Sequence, residues 1–482
     1  MNINIASMVY EQATLRPSSV AIIANQHQIT YLELSRLVSL LARHFRLKGV
    51  EPKEVVGVSM AQNPLHLLTI LALAQVGAIS LPLHQAVPVE RRLLAARRFG
   101  VHSVVSGLNE YALDGFKFIS LDSVNFESGS SGDEFIQPVT KDTPMRIAIS
   151  SGTSGDPKGM ILTHGIVALR NQTIEAGAAP SSRVIPMDVN FIVGFRPAIS
   201  TLARGGTLIF PSSLAPEDIL QSMIQCKATH VYFSPFQARD IAERVKSGGI
   251  FCPDLVCLRI GGGHISKDLL HSVSTKLSKN VYASYGSTES GMVTYATPKM
   301  LADHPDTVGK VCGWAKIETV DSEDNLLPSG TKGQIRIRSE HQVKGYYLDE
   351  ERSNRFFRDE WFYPGDIGHF DADGLLYIDG RIDDQINLGG MMIYPEDIEN
   401  TLILHPAVVD AGFFVKVEGE NYEVPAVALV LNDISQMREV QLYAVSALGP
   451  LAPTRYISVL SIPRTATGKL IRRELAALFS NH

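Results

Sequence analysis

Over the first hundred residues the apolar side chains change their spacing repeatedly, and this alternation most limits what the chain can fold into. Leu34, Leu37, Val38, Leu41 and Phe45 recur at helical intervals across 32–45, and a second helical stretch covers 65–76. Short apolar runs with strand character lie between and after them: Val55-Val56-Gly57-Val58, residues 78–83, and Ser103-Val104-Val105. Helix and strand in turn argue for an α/β domain built on a largely parallel sheet. Residues 65–83 approach the ~20 apolar residues of a membrane span. His66, Gln75 and Gly77 interrupt them, and they end in a Pro82-bearing strand-like piece. A buried helix followed by a strand is the better reading.

The chain has 482 residues, 45% of them hydrophobic, enough for a large core and at least two domains. A net charge of −6, with charged residues at 20%, leaves no basic tract of the kind nucleic acid requires. Cys226, Cys252, Cys257 and Cys312 lack metal-ligand spacing, and so few cysteines fit reduced thiols in a cytoplasmic compartment. The first residues have neither a basic start nor a long apolar run, so no secretory signal is expected there. The last hundred residues change character. Strands are expected at 375–378, 412–417 and 424–431, with a helix at 470–479. We therefore place a domain boundary near 380–384, giving an N-terminal domain of residues 1–379 and a small C-terminal α+β domain of 380–482.

The strongest local signal is Ser150-Ser151-Gly152-Thr153-Ser154-Gly155-Asp156-Pro157-Lys158-Gly159, just after an apolar strand at 146–150. Glycines let backbone N–H groups approach phosphate oxygens, hydroxyls add donors, and Lys158 brings positive charge. The usual P-loop does not fit, because Pro157 and Gly159 stand where it needs Gly and Ser or Thr. Composition alone leaves a phosphate cradle and a plain Ser/Gly surface loop about even.

A second pair of residues can be related by strand geometry. Asp373-Gly374 favours a tight two-residue hairpin turn. With those two residues as the loop, Asp366 falls directly opposite Arg381 at the open end, so that an acceptor and a donor converge. As a plain cross-strand ion pair this would contribute only about 0.2–1 kcal/mol.

The glycine-rich segment resembles the phosphate-binding signature of the acyl-adenylate-forming family, which includes acyl-CoA synthetases, carrier-loading adenylation domains and firefly-type luciferases. Further segments resemble that family in the same order. They are Tyr285-Gly286-Ser287-Thr288-Glu289, Trp361-Phe362-Tyr363-Pro364-Gly365-Asp366, Gly380-Arg381-Ile382-Asp383-Asp384, and Pro463-Arg464-Thr465-Ala466-Thr467-Gly468-Lys469. Weaker echoes are Leu162-Thr163-His164 and Gly261-Gly262-Gly263. The similarity spans nearly the whole chain, and several motifs in the right order leave coincidence little room.

The resemblance implies roles for particular residues. ATP or AMP would be held by Ser151, Gly152, Thr153, Ser154, Gly155, Lys158, Gly262, Tyr285, Gly286, Ser287 and Thr288. Tyr285 would pack on adenine, Asp366 would take the ribose hydroxyls with Arg381 beside it, and Glu289 would help hold Mg²⁺. Carboxylate oxygen together with bound phosphate suits that ion. Lys469 would bridge the substrate carboxylate and the α-phosphate, a catalytic role shared with Thr288 and Glu289. Asp383 would be the hinge on which the C-terminal domain swings between half-reactions. Gly389 and Gly390 would line the thiol channel. The acyl pocket would draw on Asn190, Phe191, Gly194, Ser234, Gly263 and His264.

The chain also departs from the family. Pro364 replaces the usual threonine, removing a hydroxyl and an N–H donor, and Ser154 stands where threonine is commoner. Residues 186–191 occupy the place of a Pro-x-x-His pattern but hold no histidine, and Asp188 raises the reading that a substrate amine binds there. The expected activity is ATP-dependent conversion of a small carboxylic acid to its acyl-adenylate, followed by transfer to the thiol of coenzyme A. The segment from Gly389 to Glu399 resembles the corresponding stretch of acyl- and aryl-CoA ligases. A stand-alone enzyme that loads the phosphopantetheine arm of a carrier protein is the alternative. A degenerate, non-catalytic nucleotide-binding protein is a third reading, opposed by the presence of Lys469, Glu289 and Asp366.

Overall fold

The computed structural model describes residues 3–25, 27–107, 112–122, 124, 135–151, 157–172, 179–245, 250–263, 265–382, 386–388, 391–393, 395–418, 422–464 and 470–479. Helix Tyr31–Leu47 starts where the Thr30 hydroxyl accepts the Glu33 N–H while the Glu33 carboxylate reaches back to the Thr30 N–H. This reciprocal cap satisfies donors that the first turn would leave open. Helix Pro64–Val76 opens with Asn63 as cap and proline in its first turn, and it closes at Gly77, whose φ of +83° suits glycine. Every residue from His66 to Val76 is buried, which explains its lack of a polar face.

Among the described residues one sheet has six strands, in the order Lys117–Ser120, Val101–Ser106, Val55–Val58, Ile79–Pro82, Pro144–Ser151 and Pro157–Thr163. All neighbours are parallel except the last pair. A larger sheet carries the parallel block Val20–Ala24, Thr207–Phe210, Arg183–Ile185, His230–Phe233, Cys257–Gly261 and Val281–Ser287. It continues through antiparallel strands Gly291–Ala296, Thr307–Val311, Leu376–Arg381 and Asp366–Phe370. The fold is therefore α/β with largely parallel sheets, as the alternation of apolar periods required. A single core cluster joins helices Tyr31–Leu47, Pro64–Val76 and Ile192–Ala203 to strands of both sheets.

Beyond residue 395, helix Pro395–Ile403 packs on the antiparallel pair Val408–Glu418 and Tyr422–Leu431, to which Arg455–Ser458 adds in parallel. Two core clusters here draw only on residues of 398–479. The strand expected at 375–378, before the boundary placed near 380, forms as Leu376–Arg381 and belongs to the large sheet. Its apolar residues Leu376 and Ile378 pack with Val293, Ile335 and Phe362. Among the described residues no helix is long and apolar enough to cross a membrane.

Candidate active site

Strands Val281–Ser287 and Gly291–Ala296 pair antiparallel and turn at Thr288-Glu289-Ser290. The approach is tight. A β-carbon on Gly286 would lie 2.1 Å from the Gly291 carbonyl oxygen, so only glycine fits. Ser287 and Ser290 close the turn through reciprocal N–H to hydroxyl bonds of 3.2 Å. The Arg170 guanidinium, fully buried, donates to the Thr288 carbonyl at 3.0 Å and to the His341 carbonyl at 2.7 and 3.1 Å. Glu289 is 8% exposed, and its Oε1 accepts the Tyr346 phenol at 2.8 Å. Burial and the Glu289 carboxylate together push the Tyr346 phenol far above its ordinary range, so it remains a donor.

Lys158 lies on strand Pro157–Thr163 of the six-stranded sheet, with its ammonium 5.8 Å from the Tyr346 ring and 5.2 Å from that of Phe356. Ser151 pairs with Pro157 at the end of the same hairpin. Gly152, Thr153, Ser154 and Gly155 lie between them, outside the described residues. Lys158 and Glu289 thus meet at Tyr346, with Thr288 next to Glu289 in the chain.

Next to this group the Tyr285 phenol donates to Asp366 Oδ2 at 2.5 Å, and Arg381 Nη1 donates to Asp366 Oδ1 at 2.8 Å. Burial and the adjoining carboxylate hold the Tyr285 phenol well above its usual pKa. Asp366 pairs with Arg381 in register, but by a different route from a two-residue turn. The loop is Ala372-Asp373-Gly374, with Asp371 bonded to Leu375 and Gly374 at φ +74°. That loop shifts the register by one residue, and a bulge at Asp379 shifts it back. Pro364 lacks an N–H, but its carbonyl accepts Arg381 Nη2 at 2.9 Å.

The residues expected to form an acyl pocket divide. Asn190 is turned into its own loop, where its amide nitrogen bonds Asp188 Oδ1 at 2.9 Å and the Met60 carbonyl at 3.2 Å. Asp188 Oδ2 meets His84 Nε2 at 3.0 Å, so the carboxylate is engaged within the protein and the amine-binding reading of Asp188 loses its basis. Phe191 stacks on His84 with ring centroids 5.7 Å apart. A β-carbon on Gly194 would meet the Met187 carbonyl at 2.2 Å. Ser234 caps helix Pro235–Arg244 in a reciprocal box with Gln237, which occupies its hydroxyl. Gly262 has φ +86°, and the Cβ position of Gly263 is 3.3 Å from Pro235 Cγ. His264, Asp383, Gly389, Gly390 and Lys469 lie outside the described residues.

Sequence reasoning missed Arg170, Tyr346 and His84. A basic residue inside the apolar pattern of helix His164–Gln172 was the available signal for Arg170. The contacts of Tyr346 and His84 are made at sequence separations of 57 and 104, beyond any local pattern.

A buried phenol and a guanidinium on one carboxylate, beside a serine- and threonine-lined turn with its own buried carboxylate, suit a nucleotide with ribose and phosphates. A family model described as AMP-binding enzyme matches residues 9–347, and the chain belongs to that family. Within it the chain is an AMP-forming acid–thiol ligase. It is 26% identical over 475 residues to a 2-succinylbenzoate–CoA ligase of Bacillus mycoides (strain KBAB4), covering 97% of each chain. It is 27% identical over 499 residues to a feruloyl-CoA synthase of Amycolatopsis sp, covering 99% of each. In fold it is similar to ATP-bound MatB from Rhodopseudomonas palustris, with a TM-score of 0.89, 23% identity and coverage of 100% and 99%. It is similar also to the o-succinylbenzoate CoA synthetase of Bacillus subtilis in complex with ATP and magnesium ion, with a TM-score of 0.87, 22% identity and coverage of 97% and 98%.

Proposed function

We propose that this chain activates a small carboxylic acid with ATP as an acyl-adenylate and then passes the acyl group to the thiol of coenzyme A. The observation that carries this reading is the convergence of Tyr285 and Arg381 on Asp366, beside the turn that presents Thr288 and Glu289. Asp366 takes the ribose hydroxyls, Tyr285 lies along adenine, and Thr288 and Ser287 donate to phosphate. The second carboxylate, Glu289, suits Mg²⁺. Among the described residues there is no group of three or more His, Cys, Asp or Glu ready for a metal, so the ion would be held jointly with phosphate oxygens. Bound there, Mg²⁺ would supply charge neutralisation at the phosphates.

In the first half-reaction the substrate carboxylate oxygen attacks the α-phosphorus and pyrophosphate leaves. Lys158 and Lys469 place positive charge where negative charge grows at the phosphates. In the second, the thiolate attacks the acyl carbon and AMP leaves with the electron pair of the C–O bond. We assign residues 1–379 and 380–482 to two domains, with Asp383 as the hinge and Gly389-Gly390 lining the pantetheine path. Coenzyme A is favoured as acceptor because both relatives named above are CoA-linked enzymes. The test is ATP–pyrophosphate exchange across a panel of acids, followed by thioester formation with free coenzyme A. Exchange without transfer to coenzyme A, but with transfer to a phosphopantetheinylated carrier protein, would replace the acceptor. Absence of exchange with every acid would end the adenylation reading.

A further inference from the structure

Residues 343–347 tie the two sheets together beside the turn that carries Glu289. At one end the Val343 N–H donates to the Glu289 carbonyl at 2.8 Å, and at the other the Tyr347 N–H donates to the Gly159 carbonyl at 2.7 Å. The strap thus holds the turn of the large sheet and, one residue after Lys158, strand Pro157–Thr163 of the six-stranded sheet. A β-carbon on Gly159 would lie 2.5 Å from the Phe99 ring, on which Tyr347 stacks with ring centroids 6.1 Å apart. Just past the strap, Asp349 pairs with Arg98 at 2.9 Å. Val343 and Tyr346 belong to the core cluster that joins both sheets.

Tyr346 sits inside this strap, 7% exposed. Its ring meets those of Phe356 and Phe357 edge to face, at 6.0 Å and 86° and at 5.7 Å and 75°. Its N–H donates to the Ser353 hydroxyl at 2.8 Å. So held, the phenol reaches Glu289 Oε1 at 2.8 Å, while Lys158 Nζ lies 5.8 Å from the ring. Burial alone requires the phenol to find an acceptor. It does not require that the acceptor be the carboxylate of the nucleotide turn, nor that one strap tie that turn to the strand of Lys158. A hydrogen bond to one carboxylate oxygen sets the plane of the group, and with it the direction of the other oxygen. Mg²⁺ takes its ligands in near-octahedral geometry and tolerates little misplacement.

We propose that Tyr346 is the positioning residue for Glu289: its phenol orients the carboxylate that would meet phosphate-bound Mg²⁺, at a spacing from Lys158 that residues 343–347 set. This rests on the adenylation reading above, in which Glu289 serves the metal. The test needs no knowledge of the acid. The α,β-methylene analogue of ATP is titrated calorimetrically into the full-length enzyme, once with excess Mg²⁺ and once with EDTA. The quantity read is the gain in affinity that Mg²⁺ brings. Tyr346→Phe keeps the ring and removes the hydroxyl. It should cut that gain about tenfold, the lower end of the range for losing a residue that orients a metal ligand, and leave affinity in EDTA within about twofold.

In a Glu289→Gln background, which already lacks the carboxylate, adding Tyr346→Phe should change the gain no further. Should Tyr346→Phe melt early, Tyr346→Met gives a second reading, since it too lacks the donor. A gain that both substitutions leave intact overturns the inference, and so does a wild type whose affinity Mg²⁺ does not raise. Equal losses with Mg²⁺ and with EDTA overturn it as well, since that is what mere packing would give. Pyrophosphate exchange by the wild type tests adenylation separately, so the inference can fail while that reading stands.

Discussion

Arg170 touches no residue that the motifs would single out by its side chain, yet it holds the turn that presents Thr288 and Glu289. Replacing it with methionine keeps much of the volume and removes every N–H donor. Three hydrogen bonds disappear: one to the Thr288 carbonyl at 3.0 Å and two to the His341 carbonyl at 2.7 and 3.1 Å. Each orphaned buried carbonyl costs about 1–3 kcal/mol. Part of that is offset, because the variant no longer buries a cation that burial has already brought from 12.5 down to about 9. We expect a net loss of about 2–4 kcal/mol, read as a lower urea midpoint at unchanged m-value. The turn should also loosen, raising KM for ATP in pyrophosphate exchange about tenfold while kcat changes less. Arg170→Lys keeps the charge but lacks the planar fork that spans two carbonyls, so it should fall between the two proteins. A methionine variant with a wild-type midpoint and a wild-type KM for ATP would refute the clamp.

Lys469→Ala should slow adenylation about 10²–10³-fold and spare thioester formation from pre-made acyl-adenylate; equal losses in both half-reactions would sink the two-orientation scheme. Asp383→Pro should retain adenylation and abolish acyl transfer, since proline stiffens the proposed hinge, and unchanged overall turnover would place the swing elsewhere. Burial holds His66 down to about 3, and His164 and His341 down to about 4, so these three stay neutral in the folded chain while the unfolded chain protonates near 6.5. Their contribution is complete above about pH 6.5 and is lost as pH falls toward 4, at up to about 4 kcal/mol per pH unit. Urea midpoints that stay flat from pH 7 to pH 5 would contradict this.

What could be read from the sequence followed the range over which each signal acts. The helices at Tyr31–Leu47 and Pro64–Val76 and the strand Val55–Val58 were legible because their periodicity and caps are local. The meeting of Asp366 and Arg381 was expected from a two-residue turn, whereas the chain uses a three-residue loop and a compensating bulge. The pairing survives because two register shifts of opposite sense cancel, and nothing local distinguishes that from no shift at all. The strand Leu376–Arg381 pairs with Asp366–Phe370 as its turn residues indicated, whereas its other neighbour, Thr307–Val311, lies some seventy residues away and left no local sign.

Buried arginine shows where local rules and function part company. Arg146 and Arg259 each interrupt an apolar strand, and each is almost wholly buried. In sequence they look alike, as violations of the core pattern that mark a site or a strained position. Their surroundings separate them. Arg146 spends its Nη2 on the carbonyls of Val189 and Asn190, at 3.0 and 2.9 Å, and so pins the loop before helix Ile192–Ala203. Arg259 lies over the Tyr232 ring, with Nη1 3.5 Å from the Met292 sulfur. The first arrangement fixes backbone. The second packs the guanidinium over an aromatic ring, where a cation–π contact of about 0.5–2 kcal/mol offsets part of the cost of its burial.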